Sequence, residues 1–314
     1  MSLHDLVKVD LGYGYLNVDR SDPGISKSLL KRKPFWLDWH REPEFMDIMK
    51  MEVSPGEIAF DLGANLGYAT LNLARLVGPQ GTVIAVEPSQ KNYQILQMNM
   101  ELNGLSERVK TFNVAISDMD GYSKFYLADE TNLHSFSKTK HSKDEVEVKV
   151  VTIDSFFTEL NIFPNFIKMD IEGAEVEALK GLDKILEANP NRPMKILMEV
   201  HPSLYNPEAF SQQLDRLFNK GFRTKYVVST GDRKANFFYK KGYKKLKSYR
   251  SGDWVRSIFE NVSNEDCKYA CSFYDSNGKI ARHWLTFLRR PYLLIKSFHV
   301  DSPKMVRSIL LERV

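Results

Sequence analysis

The stretch from Ile58 to Glu87 constrains this chain more than any other. Ile58 to Leu62 is a short apolar run that predicts a buried strand, and it passes directly into Gly63-Ala64-Asn65-Leu66-Gly67. Beyond that turn, Ala69, Leu73, Leu76 and Val77 recur at helical spacing. Gly78-Pro79-Gln80-Gly81 stops the helix, and Thr82 to Val86 is a second apolar run ending at Glu87. Two neighbouring strands joined through a helix run parallel, and such sheets are covered by helices on both faces.

The alternation continues along the chain. Ser89 caps a helix with Tyr93, Leu96 and Met100 on one side, and Gly104 ends it. Val109 to Val114, Phe166 to Met169, Ile196 to Val200 and Phe222 to Val228 read as further strands. Helices follow from Ala174 and around Phe210, Leu214 and Leu217. The pattern predicts an α/β fold with a doubly wound, mostly parallel sheet. Lys124 to Leu127 and Val146 to Ile153 predict two extra strands beside the polar section 117–144. Residues 1–54, with Lys31-Arg32-Lys33-Pro34-Phe35-Trp36, read as an N-terminal cap of short helices. Residues 55–230 form the main domain, and 231–314 a basic C-terminal extension that completes the sheet. Val306 to Leu311 is one candidate for its last strand, and Asn236 to Tyr239 is the rival.

Composition matters here through its distribution. Hydrophobic residues make up 43% of the 314 positions and charged residues 27%, which excludes a disordered chain. The net charge of +4 hides a split. Residues 221–314 hold 20 Lys+Arg and 8 Asp+Glu, a net of +12. That leaves 24 Lys+Arg and 32 Asp+Glu for residues 1–220, a net of −8. The chain has two cysteines, Cys267 and Cys271, at a spacing that puts both on one helix face, and reduced thiols are expected. No apolar stretch reaches the length of a membrane span, and the first ten residues lack the apolar core of a secretory signal. The expected location is cytoplasmic.

Glycines between a strand and a helix let the backbone approach a ligand. Glu87, at the end of the next strand, can accept hydrogen bonds from both hydroxyls of a ribose. A dinucleotide site would need G-x-G-x-x-G to seat a pyrophosphate. This turn offers G-x-N-x-G, with Asp61 two residues ahead. A carboxylate there repels pyrophosphate and suits the cationic amino-acid end of S-adenosylmethionine. Gly63, Asn65 and Gly67 then form the cofactor turn, with Asp61 at the amino-acid end and Glu87 on the ribose. A second acidic motif, Asp170-Ile171-Glu172-Gly173-Ala174-Glu175, ends the strand Phe166 to Met169. Acids in a first helical turn complement the dipole, which accounts for Glu172 and Glu175 but not for Asp170.

The segments FDLGANLGYAT, VEP, VVTIDSF and FIKMDIEGAEVEALKG, in this order, resemble the FkbM family of S-adenosylmethionine-dependent methyltransferases. The resemblance runs from about Glu57 to Val228, and the Arg41-Glu42-Pro43-Glu44 lead-in is similar to that of some prokaryotic members. It implies a Rossmann-like class I methyltransferase fold and methyl transfer to a hydroxyl of a small molecule, sugar or glycan precursor. An alcohol acceptor needs a base within hydrogen-bond reach. The candidates at the sheet edge are Asp170, Glu199 and His201, with His134 in the polar section as a weaker one. Asp118 is placed near the adenine. A metal-dependent variant using Asp170 and Glu199 is conceivable, but no spacing demands it, and none is expected.

The basic C-terminal region lies outside the resemblance. Lys240, Lys241, Lys244, Lys245 and Lys247, interleaved with Tyr239, Tyr243 and Tyr249, raise the alternative of an RNA methyltransferase or nucleic-acid-binding protein. No RNA-binding signature accompanies them, so a solvated charged surface on extra strands is the favoured reading, with an anionic acceptor preferred to nucleic acid as a partner. The acceptor, its methylated position and the oligomeric state are not readable from the sequence.

Overall fold

A computed structural model of the protein describes residues 5–31, 41–251, 254–274 and 303–314. The expectations for Arg32 to Trp36 fall outside these residues. The chain opens with an antiparallel hairpin, β1 (Leu6–Asp10) and β2 (Tyr15–Asp19), rather than with a helix. The reason is a period of two: Leu16 and Val18 are buried on one side of β2. Two helices follow, α1 (Ile25–Leu30) and α2 (Pro43–Glu52).

The main domain begins with β3 (Ile58–Leu62), α3 (Tyr68–Leu76), β4 (Thr82–Val86), α4 (Gln90–Leu102) and β5 (Val109–Phe112). The Ser89 side chain caps α4 by accepting the Asn92 N–H. The polar section forms a small side sheet in the order β6 (Ala115–Ile116), β8 (Ser142–Val151), β7 (Gly121–Ala128). The chain then returns through α5 (Ile153–Leu160), β9 (Phe166–Met169), α6 (Glu175–Lys180), α7 (Asp183–Ala188) and β10 (Met194–Glu199). It closes with α8 (Pro207–Asn219), β11 (Arg223–Ser229), α9 (Asp232–Lys240), β12 (Lys245–Ser251), β13 (Trp254–Glu260), α10 (Asn264–Ser272) and β14 (Val306–Arg313).

The main sheet has the order β12-β13-β11-β14-β10-β9-β3-β4-β5. Strands β10, β9, β3, β4 and β5 are parallel. From β3 the chain winds outward to β5, then returns to β9 on the other side. Strand order therefore reverses between β3 and β9, and the crevice beyond their carboxyl ends is where such sheets bind ligands. Side chains alternate between two buried layers: Phe60, Leu62, Ile84 and Met169 pack in one, Ala59, Val83, Ala85 and Phe166 in the other. Burial of both faces makes this a doubly wound α/β sheet.

The last strand is β14, antiparallel between β10 and β11. Its rival, Asn236 to Tyr239, lies in α9, where Ala235 and Phe238 are buried three residues apart. Cys267 and Cys271 are free thiols buried on the same side of α10. Among the described residues no helix is long and apolar enough to cross a membrane.

The charge split resolves largely into ion pairs between the two ends of the chain. Arg256 holds Glu44, Lys247 reaches Asp47 at 2.6 Å, and the Tyr249 hydroxyl donates to Asp47. Arg307 contacts Glu42 at 2.9 Å, and Lys225 lies 2.9 Å from Glu52. Lys241 and Tyr243 both hold Asp266. Lys241, Lys247, Tyr243 and Tyr249 of the lysine and tyrosine stripe thus have partners within the chain, while Lys240, Lys244 and Lys245 are exposed.

Candidate active site

The turn after β3 is shaped by three positive φ angles, at Gly63 (+79°), Asn65 (+51°) and Gly67 (+96°). A Cβ on Gly63 would run into the carbonyl oxygen of Asp170, so β3 and β9 meet here with no space for a side chain. Asparagine tolerates the left-handed region, and Asn65 is further held by its Nδ2, which donates to the Thr131 carbonyl at 3.1 Å. The Asn65 backbone N–H donates to Glu87 Oε2 at 2.8 Å, and the Ser89 N–H donates to Glu87 Oε1 at 2.9 Å. Glu87 is buried, and burial pushes its carboxyl up to about 7 despite these two hydrogen bonds and the nearby Lys168 charge.

Asp61 lies behind the turn. It is fully buried, 2.8 Å from Lys168 Nζ, and accepts the Thr70 hydroxyl at 2.6 Å. Lys168 Nζ also donates to the Gly63 carbonyl at 2.7 Å and approaches the Leu62 carbonyl at 3.4 Å. Asp61 is not among the residues that line the cavity described below. Its charge is taken up by Lys168, and the pair instead fixes the shape of the turn. Lys168 was missed in the sequence because a lysine inside an apolar strand carries no mark of its partner across the sheet.

A cavity opens at the crevice. Its walls include Gly63, Ala64, Asn65, Glu87, Ile116, Asp170 and Glu172, with Arg41, Phe45 and Tyr68 closing it from the N-terminal side. Asp118 is not on the wall; it sits on the far side of the β6 turn, 3.8 Å from Lys180. Ala115 and Ile116, just ahead of it in sequence, do line the cavity. His134 does line the cavity. Burial pushes its imidazole down to about 4, and its Nδ1 accepts the Ala128 N–H at 3.0 Å.

The second acidic motif gathers around His201, which follows β10. Its Nδ1 lies 2.7 Å from Glu175 Oε1 and its Nε2 lies 3.1 Å from Glu199 Oε1. Glu172 and Asp170 stand 3.5 Å and 3.9 Å from the same Nε2. Although burial opposes it, the carboxylates of Glu172, Glu175 and Glu199 hold His201 protonated, well above the usual histidine range. An imidazolium donates from both nitrogens and has no lone pair left. In that charge state His201 donates to the carboxylates on both sides of its ring. One atom each from Asp170, Glu172 and His201 lie within 4.8 Å of one another.

Glu199 is also surrounded by cations. It contacts Arg307, Lys304 (3.4 Å) and His201, and these cations hold it ionised, well below the usual carboxylate range, against the cost of burial. An acid so strongly held as an anion is a weak base. Asp170 and Glu172 differ. Burial, reinforced by Glu199, raises Asp170 to about 6, while burial and the neighbouring acids raise Glu172 to about 8. Both line the cavity. Glu172 has φ +47° and lies ahead of α6, so the helix-dipole explanation does not account for it. The signal in the sequence was Gly173 behind it, which marks a turn that swings the acid back toward the crevice.

The methyltransferase FkbM domain family matches residues 61–224. This chain belongs to that family. The FkbM-family match covers the turn, both acidic motifs and most of the parallel sheet. It is 32% identical over 143 residues to Methyltransferase 1 of Beauveria bassiana, covering 39% of this chain and 57% of that protein. It is 24% identical over 208 residues to Methyltransferase sdnD of Sordaria araneosa, covering 56% and 76%. It is 25% identical over 182 residues to the 31-O-demethyl-FK506 methyltransferase FkbM of Streptomyces tacrolimicus, covering 48% and 68%. The chain thus spans little more than half the length of the Beauveria relative.

Proposed function

We propose that this protein transfers a methyl group from S-adenosylmethionine to a hydroxyl of a small molecule, sugar or glycan precursor. The observation that carries the reading is Glu87. It is a buried carboxylate on the cavity wall with one backbone donor on each oxygen, and burial raises it to about 7. It lacks the donors that would keep a buried carboxylate ionised, and the two hydroxyls of a ribose are donors of the required kind. Gly63 leaves the neighbouring backbone bare for close approach. Asp170 and Glu172 offer negative charge for an ammonium and a sulfonium, which the FkbM-family membership makes the natural occupants.

S-adenosylmethionine, when bound, supplies an electrophilic methyl group. Asp170 accepts the proton of the acceptor hydroxyl. With a value of about 6 it is ionised at neutral pH and still basic enough to take a proton. Glu172 stands 3.5 Å from His201 Nε2, where its carboxylate supports the His201 charge and is itself favoured by that charge. His201 keeps both acids in place, and Glu175 and Glu199 keep His201 charged. Residues 55–230 form the catalytic domain in this reading, with 1–54 closing the cavity and 231–314 bracing it. The Streptomyces relative is named for methyl transfer to 31-O-demethyl-FK506, which agrees with an oxygen acceptor on a small molecule. An anionic acceptor has less support, because many basic groups of the C-terminal region are paired within the chain. Incubation with methyl-labelled S-adenosylmethionine and a fractionated cell extract tests the reading. Label recovered as an alkali-stable ether supports it, and label recovered as an ester or methylamine contradicts it.

A further inference from the structure

The cavity has two cationic residues on its described walls, Arg41 and Lys168. Lys168 is already committed: Asp61, the Gly63 carbonyl and the Leu62 carbonyl take its three protons. Arg41 is different. Among the described residues its guanidinium has one ion pair, with Glu42 Oε1 at 3.4 Å. That same oxygen lies closer to Arg307, at 2.9 Å. Arg307 comes from β14, at the far end of the sequence, and also contacts Glu199. Glu42 is thus shared between the two guanidiniums, while Arg307 is also held by Glu199, and Arg41 borders the cavity.

The backbone supports the same reading. Glu42 adopts φ +51° just ahead of Pro43, a conformation that costs free energy for a residue with a side chain. It turns the chain so that Arg41 and Glu42 both border the crevice, and the Tyr68 hydroxyl approaches the Arg41 carbonyl at 3.5 Å. Beyond Glu42, the other acids on the wall are Glu87, Asp170 and Glu172, which attract cations and hydroxyls and repel a carboxylate. A zwitterionic amino-acid group needs both kinds of partner, and a guanidinium matches a carboxylate with paired donors.

We infer that Arg41 binds the carboxylate at the amino-acid end of the cofactor, the charge of its neighbour Glu42 being shared with Arg307. The assignment rests on the cofactor reading given above. A carboxylate on the acceptor would offer the same chemistry, and the choice of ligands separates the two sources. Calorimetry on the full chain would compare S-adenosylhomocysteine with its analogue lacking only the carboxyl group, for the wild type, Arg41→Gln and Arg41→Lys. Melting temperatures would confirm that the variants are folded. Arg41→Gln is expected to weaken S-adenosylhomocysteine by about 10- to 100-fold, the usual range for a lost charged hydrogen bond. The decarboxylated analogue should bind both proteins alike, and Arg41→Lys should fall between. Equal losses for both ligands would make Arg41 a structural residue and overturn the assignment. Unchanged binding of S-adenosylhomocysteine in Arg41→Gln would also overturn it, leaving the cofactor reading intact. Failure of the wild type to bind either ligand would remove the cofactor reading and the assignment together.

Discussion

Gly63 and the carbonyl of Asp170 are packed so closely that no side-chain carbon fits between them. The contact joins the cofactor turn after β3 to the acidic motif after β9, across the point where strand order reverses. Each half of the site is therefore held by the other.

Gly63→Ala tests that dependence. The new methyl would meet the Asp170 carbonyl, and the backbone at φ +79° disfavours any L side chain. Left-handed backbone costs about 1–2 kcal/mol and overpacking about 1–3 kcal/mol more. Denaturant titration should show a loss of that order, accompanied by loss of cofactor binding. A variant of wild-type stability and affinity would show that the two motifs are not coupled.

Asp170→Asn should keep the fold and the cofactor site while removing the base. Turnover is expected to fall by about 10²–10⁴-fold, with affinity for S-adenosylhomocysteine changed far less. In the wild type, activity should decline as pH falls through about 6, where Asp170 takes up a proton. Undiminished turnover in the variant would assign the proton transfer elsewhere, with Glu172 the next candidate.

Cofactor affinity should itself depend on pH through Glu87. Its carboxyl is raised to about 7, so at pH 6 it is mostly protonated in the free protein. Ribose hydroxyls donate to the ionised form and would pull the value down on binding. A group whose value falls on binding favours binding at higher pH. Calorimetry should therefore find tighter binding at pH 8 than at pH 6, and a flat profile in Glu87→Gln. A flat profile in the wild type would separate Glu87 from the ribose.

His201→Gln should act through charge and not through loss of a base. The folded value of His201 lies above its ordinary 6.5, so its stabilising contribution is complete below 6.5 and disappears only as pH rises through the raised value. At neutral pH the variant should be destabilised by about 3–5 kcal/mol, the usual result of leaving buried charges without their partner. The remaining acids lose a cation, so the acidic limb of the activity profile should move to higher pH. A limb that vanishes would restore His201 as the base.

The parallel core was legible because each strand is a short apolar run between punctuating residues. Ile58 to Leu62, Thr82 to Val86 and Phe166 to Met169 have the bounds read from the sequence alone. The β1–β2 hairpin was not, because charged and polar residues occupy its exposed positions and its glycine-tyrosine turn looked like cap. Cavity residues marked by backbone chemistry, such as Gly63, Asn65 and Glu87, could be found from order along the chain. Charge states could not. Asp61 is neutralised by a lysine 107 positions away, and Glu199 is held ionised by Arg307 from the last strand. The role of the basic C-terminal region was hidden for the same reason. Arg256 and Glu44 lie 212 residues apart in sequence, and only the folded sheet brings them together.

The most direct test of the account is a calorimetric titration of the wild-type protein with S-adenosylhomocysteine, repeated with Glu87→Ala and with NADH as the control ligand. The account predicts saturable binding of one S-adenosylhomocysteine per chain, strongly weakened in Glu87→Ala, and no binding of NADH. Absence of S-adenosylhomocysteine binding to the folded wild type, or binding of NADH in its place, would contradict it.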